Sequence, residues 1–153
     1  MDEVFQRHPD ADERVRSALK VIESLLPLDI YPTMKRRFLS NCLWQITQAE
    51  GKTKYDLRYR SESSLSASRK EWRHEHVFRR KEMVDALLAN PAAAEEIAAA
   101  AFGCVVTKSE HALLRGIDRT HREVNGWDRY RLAGIVVMDM ATQPPHRHTL
   151  RSQ

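Results

Sequence analysis

Two helical stripes joined by one short loop constrain this chain more than any other feature of its sequence. Over 12–26, Val15, Ala18, Leu19, Ile22, Leu25 and Leu26 recur at the three-and-four spacing of a helix, and Pro27 stops the run. A second stripe, Phe38, Cys42, Leu43 and Ile46, follows Thr33 as its N-cap and ends before Gly51. A loop as short as 28–32 predicts that the two helices pack as antiparallel neighbours. Trp44 lies near the second stripe and reads as core.

The period then changes. In 54–60 apolar and charged residues alternate, the mark of a half-buried strand, and the serine-rich stretch 61–68 reads as a loop or a poor helix. Met83, Val84, Leu87 and Leu88 form a further helical stripe, stopped at Asn90. Pro91 then seats the first turn of an alanine-rich helix running to about Phe102. Cys104, Val105 and Val106 read as a short strand. Thr107 and Glu110 have the spacing of a capping box, in which each side chain satisfies an amide at the helix start. Residues 135–138 are a last candidate strand.

The fold class that follows is α+β: a mainly helical single domain with a small sheet built from 55–59, 105–106 and 135–138. Residues 1–10 are expected to be a flexible N-terminus, 11–142 the globular domain, and 143–153 a disordered tail. At 153 residues, with 42% hydrophobic residues, the chain can build one core. Its longest apolar stretches, 97–102 and 135–138, fall far short of the roughly 20 residues that span a bilayer. The acidic Met1-Asp2-Glu3 has no apolar run behind it, which argues against a secretory signal. The two cysteines, Cys42 and Cys104, sit in apolar patterns and read as buried free thiols. Cytoplasmic localisation and no membrane partner are the expectations.

The net charge of +4 is modest, but its distribution is not. Arg58, Arg60, Arg69, Lys70, Arg73, Arg79, Arg80 and Lys81 fall in one stretch, while 85–96 leans acidic. Such a concentration either meets phosphate groups or forms a solvated face. Inside it lies His74-Glu75-His76. In an extended strand, His74 and His76 share one face and Glu75 takes the other. In a helix, i and i+2 do not face each other, and neither pair could chelate. Imidazoles and carboxylates bind divalent metals, and a neutral imidazole accepts a proton from water. The segment 126–131 interleaves Trp127 and Tyr130 with Arg129 and Arg131. That composition suits stacking on bases or anchoring a loop to the core.

Read together, Glu75-His76-Val77-Phe78-Arg79-Arg80-Lys81 and the later Cys104-Val105-Val106-Thr107-Lys108-Ser109-Glu110-His111 resemble the outline of HNH endonucleases. The resemblance covers about 72–114. It implies that Glu75 or His74 is the first metal ligand, His76 the general base, and His111, at a helix start, the distal ligand. It also implies a divalent metal (magnesium, manganese or zinc) and a nucleic-acid substrate, with Arg69, Lys70, Arg73, Arg79, Arg80 and Lys81 on its phosphates. The chain departs from that outline in having two helical stripes between His76 and His111 and no zinc-holding cysteine pairs. Two functions are expected to compete: a divergent metal-dependent nuclease acting on DNA or RNA, or a non-catalytic module that binds nucleic acid or a protein partner.

Overall fold

The computed structural model of the protein describes residues 4–151. The antiparallel helical pair is present as α1 (Ala11–Leu25) and α2 (Pro32–Thr47). Ile22 of α1 and Leu39, Leu43 and Ile46 of α2 are buried together with Val84 and Leu87 of α4 (Arg80–Ala89) and Ala94 and Ala98 of α5 (Ala94–Ala99). α5 is shorter than its alanine run suggests, because Pro91–Ala93 form a 3-10 turn before it and Ala100 ends it.

The sheet has five strands: β1 (Tyr59–Ser61), β2 (Trp72–His76), β3 (Gly103–Thr107), β4 (Val137–Asp139) and β5 (His146–Arg147). Their spatial order is β2-β3-β1-β4-β5, with β1 and β3 parallel and the other pairs antiparallel. A short helix α3 (Glu62–Ser66) follows β1, capped by the Ser61 hydroxyl, which accepts from the Ser64 amide at 3.1 Å. The chain is therefore a single α+β domain, with the helical pair on one side of the sheet. On the other side lie α6 (Lys108–Thr120) and α7 (Trp127–Leu132). A second core, Val77, Cys104, Val106, Leu114, Trp127, Tyr130 and Val137, fills that layer.

Several expectations are met closely. The capping box is present, with Thr107 accepting from the Glu110 amide and the Glu110 carboxylate accepting from the Thr107 amide at 2.8 Å. Cys104 is buried, and Cys42 half-buried; both are free thiols. Three expectations are corrected. The alternation at 54–60 makes a strand only from Tyr59, because Asp56 accepts from the Thr53 amide at 2.8 Å and turns the preceding residues. Trp44 is not core; it is half-buried against the imidazoles of β2. The tail expected to be disordered supplies β5, held as His148 packs its ring on Tyr59 and Trp127, at 4.8 and 4.9 Å. Of the expected flexible ends, residues 1–3 and 152–153 lie outside the described residues. Among the described residues, no helix is long and apolar enough to cross a membrane.

Candidate functional site

The triplet His74-Glu75-His76 is extended, in the edge strand β2, so the strand's period of two divides its side chains between two environments. Register fixes which is which. Glu75 lies opposite Cys104, whose side chain belongs to the layer beneath α6 and α7. His74 and His76 lie opposite Val105 and Gly103, on the face that meets α2.

On the first face, Glu75 Oε2 accepts from His111 Nδ1 at 2.5 Å, and Oε1 accepts from Arg129 at 3.2 Å. Arg129 is 1% exposed. Its guanidinium also donates twice to Asp118, at 2.7 and 2.8 Å, and to the carbonyls of His76 and Val77, both at 2.9 Å. Gly126 opens α7 with φ +60°, and a Cβ there would meet the Phe78 ring at 2.5 Å; only glycine suits both demands. Arg79, expected on phosphate, instead turns inward to Glu82 at 2.7 Å and Asp118 at 3.2 Å. Its position just before α4 puts it beside α6, so its charge is spent on internal carboxylates.

On the second face, the His74 ring lies 4.5 Å from Trp44 and 5.2 Å from His76. His74 Nδ1 donates to the Lys54 carbonyl at 2.8 Å, and Nε2 meets the Thr47 hydroxyl at 3.1 Å. Gly103 makes room for this approach, since a Cβ would lie 3.0 Å from the His74 ring and 2.9 Å from the Thr47 carbonyl. Both ring nitrogens of His76 are hidden from solvent without a hydrogen-bond partner. Burial, reinforced by the charge of Arg80, pushes the His76 pKa down to about 3 and that of His74 to about 4. Both imidazoles are neutral near pH 7.

The three expected metal ligands, His74, Glu75 and His111, and the expected base His76 thus divide into two pairs on opposite sides of β2. The structure brings Glu75 and His111 together and keeps His74 and His76 apart from them. As arranged, the donors do not fit a divalent ion. Both His74 nitrogens are hydrogen-bonded, those of His76 are enclosed, and both Glu75 oxygens are engaged by His111 and Arg129. Among the described residues, no group of three or more His, Cys, Asp or Glu side chains could hold a metal.

The remaining basic residues form a different feature. Arg36, Arg37, Arg80 and Lys81 surround a concavity of about 330 Å³ between α2 and the start of α4, with Arg36 ion-paired to Asp85. Arg80 lies 5.3 Å over the Trp44 ring, Trp44 touches His74, and His74 bonds to Lys54. Lys54 and Arg69 lie over Tyr55, at 5.1 and 5.9 Å; Tyr55 meets Trp72 edge-on at 6.0 Å, and Arg60 covers Trp72 at 4.0 Å. These contacts form a ribbon of cations and rings, joined between His74 and Lys54 through the Lys54 backbone carbonyl, and half of it is invisible as a motif because Arg36, Arg37, Trp44 and Tyr55 come from other segments. Arg73, in β2, shares the Glu75 side of the strand and donates to the carbonyls of Lys70 and Trp72. The 126–131 segment anchors the core: Trp127, Arg129 and Tyr130 are buried.

The fold and these two sites define an α+β domain with a buried ionic network under one face of β2 and a basic, aromatic ribbon beside the other. Comparison with protein-family models, with curated proteins and with solved structures finds no match to this chain.

Proposed function

We propose that this protein binds single-stranded nucleic acid along the ribbon from Arg36 and Arg37 to Arg60. The observation that supports this most is the unbroken sequence of contacts from Arg80 through Trp44, His74, Lys54 and Tyr55 to Trp72 and Arg60. Single strands are held by surfaces on which cations track the phosphates while accessible rings take the π-faces of bases; here Trp44, Tyr55 and Trp72 are half-buried, each with a cation over its ring. The ribbon also places Arg80 and Lys81 in the first turn of α4, where the helix dipole disfavours positive charge. An anion bound there would relieve that repulsion.

Affinity for a short oligonucleotide should fall steeply with salt, since each phosphate contact releases condensed counterions. The fourfold variant Arg36→Gln, Arg37→Gln, Arg80→Gln, Lys81→Gln should flatten the log–log salt slope by about 3, taking roughly 0.7 per lost contact on a single strand. Fluorescence anisotropy across a salt series measures this. An unchanged slope would remove the cleft from the interface, and no binding at low salt would defeat the proposal.

A second reading, the HNH-like nuclease, is favoured by one observation: Glu75 accepts from His111, whose side chain is 33% exposed, so that His111, oriented by Glu75, takes the base role expected of His76, although the pair as arranged does not fit a divalent ion. On that reading His111→Ala should reduce cleavage of a single-stranded substrate by about 10²–10⁴-fold while leaving binding intact. Binding without cleavage in magnesium, manganese or zinc would leave the binding module, with a protein partner the fallback if nucleic acid fails altogether.

A further inference from the structure

The ribbon does not end on open surface. Tyr55 and Arg60, toward one end of it, also line a half-enclosed cavity of about 480 Å³ bounded by the N-terminal segment, the 52–57 turn and Met140. We propose that this cavity is a pocket for one amino-bearing nucleobase, taking a base from a strand that lies along the ribbon; the inference rests on the nucleic-acid reading above.

Size comes first. Small-molecule sites typically occupy roughly 300–1,000 Å³ and are mainly apolar with a few placed polar groups. The apolar walls here are Phe5, Tyr55, Leu57 and Met140, two of them aromatic, which suits a flat ring. Polar groups then set orientation. Lys52 stands at the cavity as a cation for a phosphate, Arg60 is held over Trp72 and against Ser64, and Gln6 offers a carboxamide that both donates and accepts.

Asp56 supplies the selectivity. Asp56 lines the cavity, and its Oδ2 accepts from the Thr53 amide at 2.8 Å. An ionised carboxylate only accepts hydrogen bonds. It therefore favours a base edge presenting an exocyclic amine, such as cytosine N4, and opposes the carbonyl that uracil presents at the same position. The pocket thus adds base choice to a ribbon whose own contacts are indifferent to sequence.

The test uses the whole protein, with cytidine and uridine monophosphates as an isosteric pair and an oligocytidylate as the strand. Isothermal titration at low salt should show CMP binding about tenfold or more tighter than UMP. Tyr55→Ala, with an unchanged melting temperature, should weaken CMP by about 5- to 150-fold, the range that loss of one stacking ring produces. Asp56→Asn keeps an oxygen for the Thr53 amide and should bring the CMP-to-UMP ratio near one. Equal affinities for the two nucleotides, or CMP binding indifferent to Tyr55 and Asp56, would overturn the pocket. Oligocytidylate binding without CMP binding would overturn the pocket and spare the ribbon. CMP binding that depends on Tyr55 and Asp56, with no oligonucleotide binding, would keep the pocket as a nucleotide site and overturn the ribbon.

Discussion

Replacing Arg129 with methionine should cost the fold about 3–5 kcal/mol, the range seen when one partner of a buried ion pair is removed. The reason lies in how completely the guanidinium is used. Its five N–H groups meet five acceptors: two carboxylate oxygens of Asp118, one of Glu75, and the carbonyls of His76 and Val77. Methionine fills a similar volume but leaves Glu75 without its arginine, Asp118 with Arg79 alone, and two carbonyls without donors. Arg129→Lys should recover little, because three donors from a single ammonium cannot reproduce a planar fork. The double variant Arg129→Met, Glu75→Gln should be more stable than Arg129→Met alone, since it no longer buries a bare carboxylate. Urea denaturation of the three variants measures the differences. A cost below about 1 kcal/mol for Arg129→Met would show that the network does not hold β2 to α7.

That network marks the boundary of what the sequence makes legible. Helices α1, α2, α4 and α6 announce themselves because each buries one apolar stripe and the rest of its surface is solvated, so their period survives in the residues. The buried strand β3 and its capping box are equally plain. Strand β2 is not, because Trp72-Arg73-His74-Glu75-His76 shows no alternation of apolar and polar residues. One face is filled by imidazoles against Trp44, the other by a carboxylate against Arg129 and His111, so both faces are polar. Strand β5 is two residues long and owes its position to β4 and to the rings under His148.

The candidate site divides the same way. The pairing of Glu75 with His111 is within reach of motif reasoning, since both positions stand out in their segments. Their cation is not, because Arg129 lies 54 positions from Glu75 and sits in a segment whose aromatics equally suggest a stacking surface. The run Arg79-Arg80-Lys81 reads as three like charges, yet the start of α4 turns Arg79 to Glu82 and Asp118 while Arg80 and Lys81 face the α2 cleft. Adjacent residues at a helix start point in different directions, and a charge run carries no record of that.

The stability of the protein should fall sharply as the pH drops from 6.5 to 4. His74 and His76 have native pKa values pushed down to about 4 and about 3, chiefly by burial, against about 6.5 for an ordinary imidazole. Above pH 6.5 both are neutral in the folded and unfolded chain, and the full stability is present. Below it the unfolded chain binds two protons that the native protein refuses, so each pH unit removes up to about 1.4 kcal/mol per histidine. The loss continues until the pH reaches the native values. Accumulated to pH 4, it is on the order of 5 kcal/mol, comparable to the whole stability of a small domain at roughly 5–15 kcal/mol. Arg80 and Lys54 repel the proton as well, and Arg58 holds the Asp139 carboxyl low, which adds a loss of the same sign at still lower pH. Replacing His76 with phenylalanine keeps a ring against Trp44 and removes one titrating group. Urea midpoints at pH 7, 6 and 5 should then show the slope below pH 6.5 reduced by about half, and the variant more stable than the parent at pH 5. A slope that His76→Phe leaves unchanged would mean that His76 is not held neutral in the folded protein. The acid sensitivity would then have to come from His74 and from carboxylates such as Asp139.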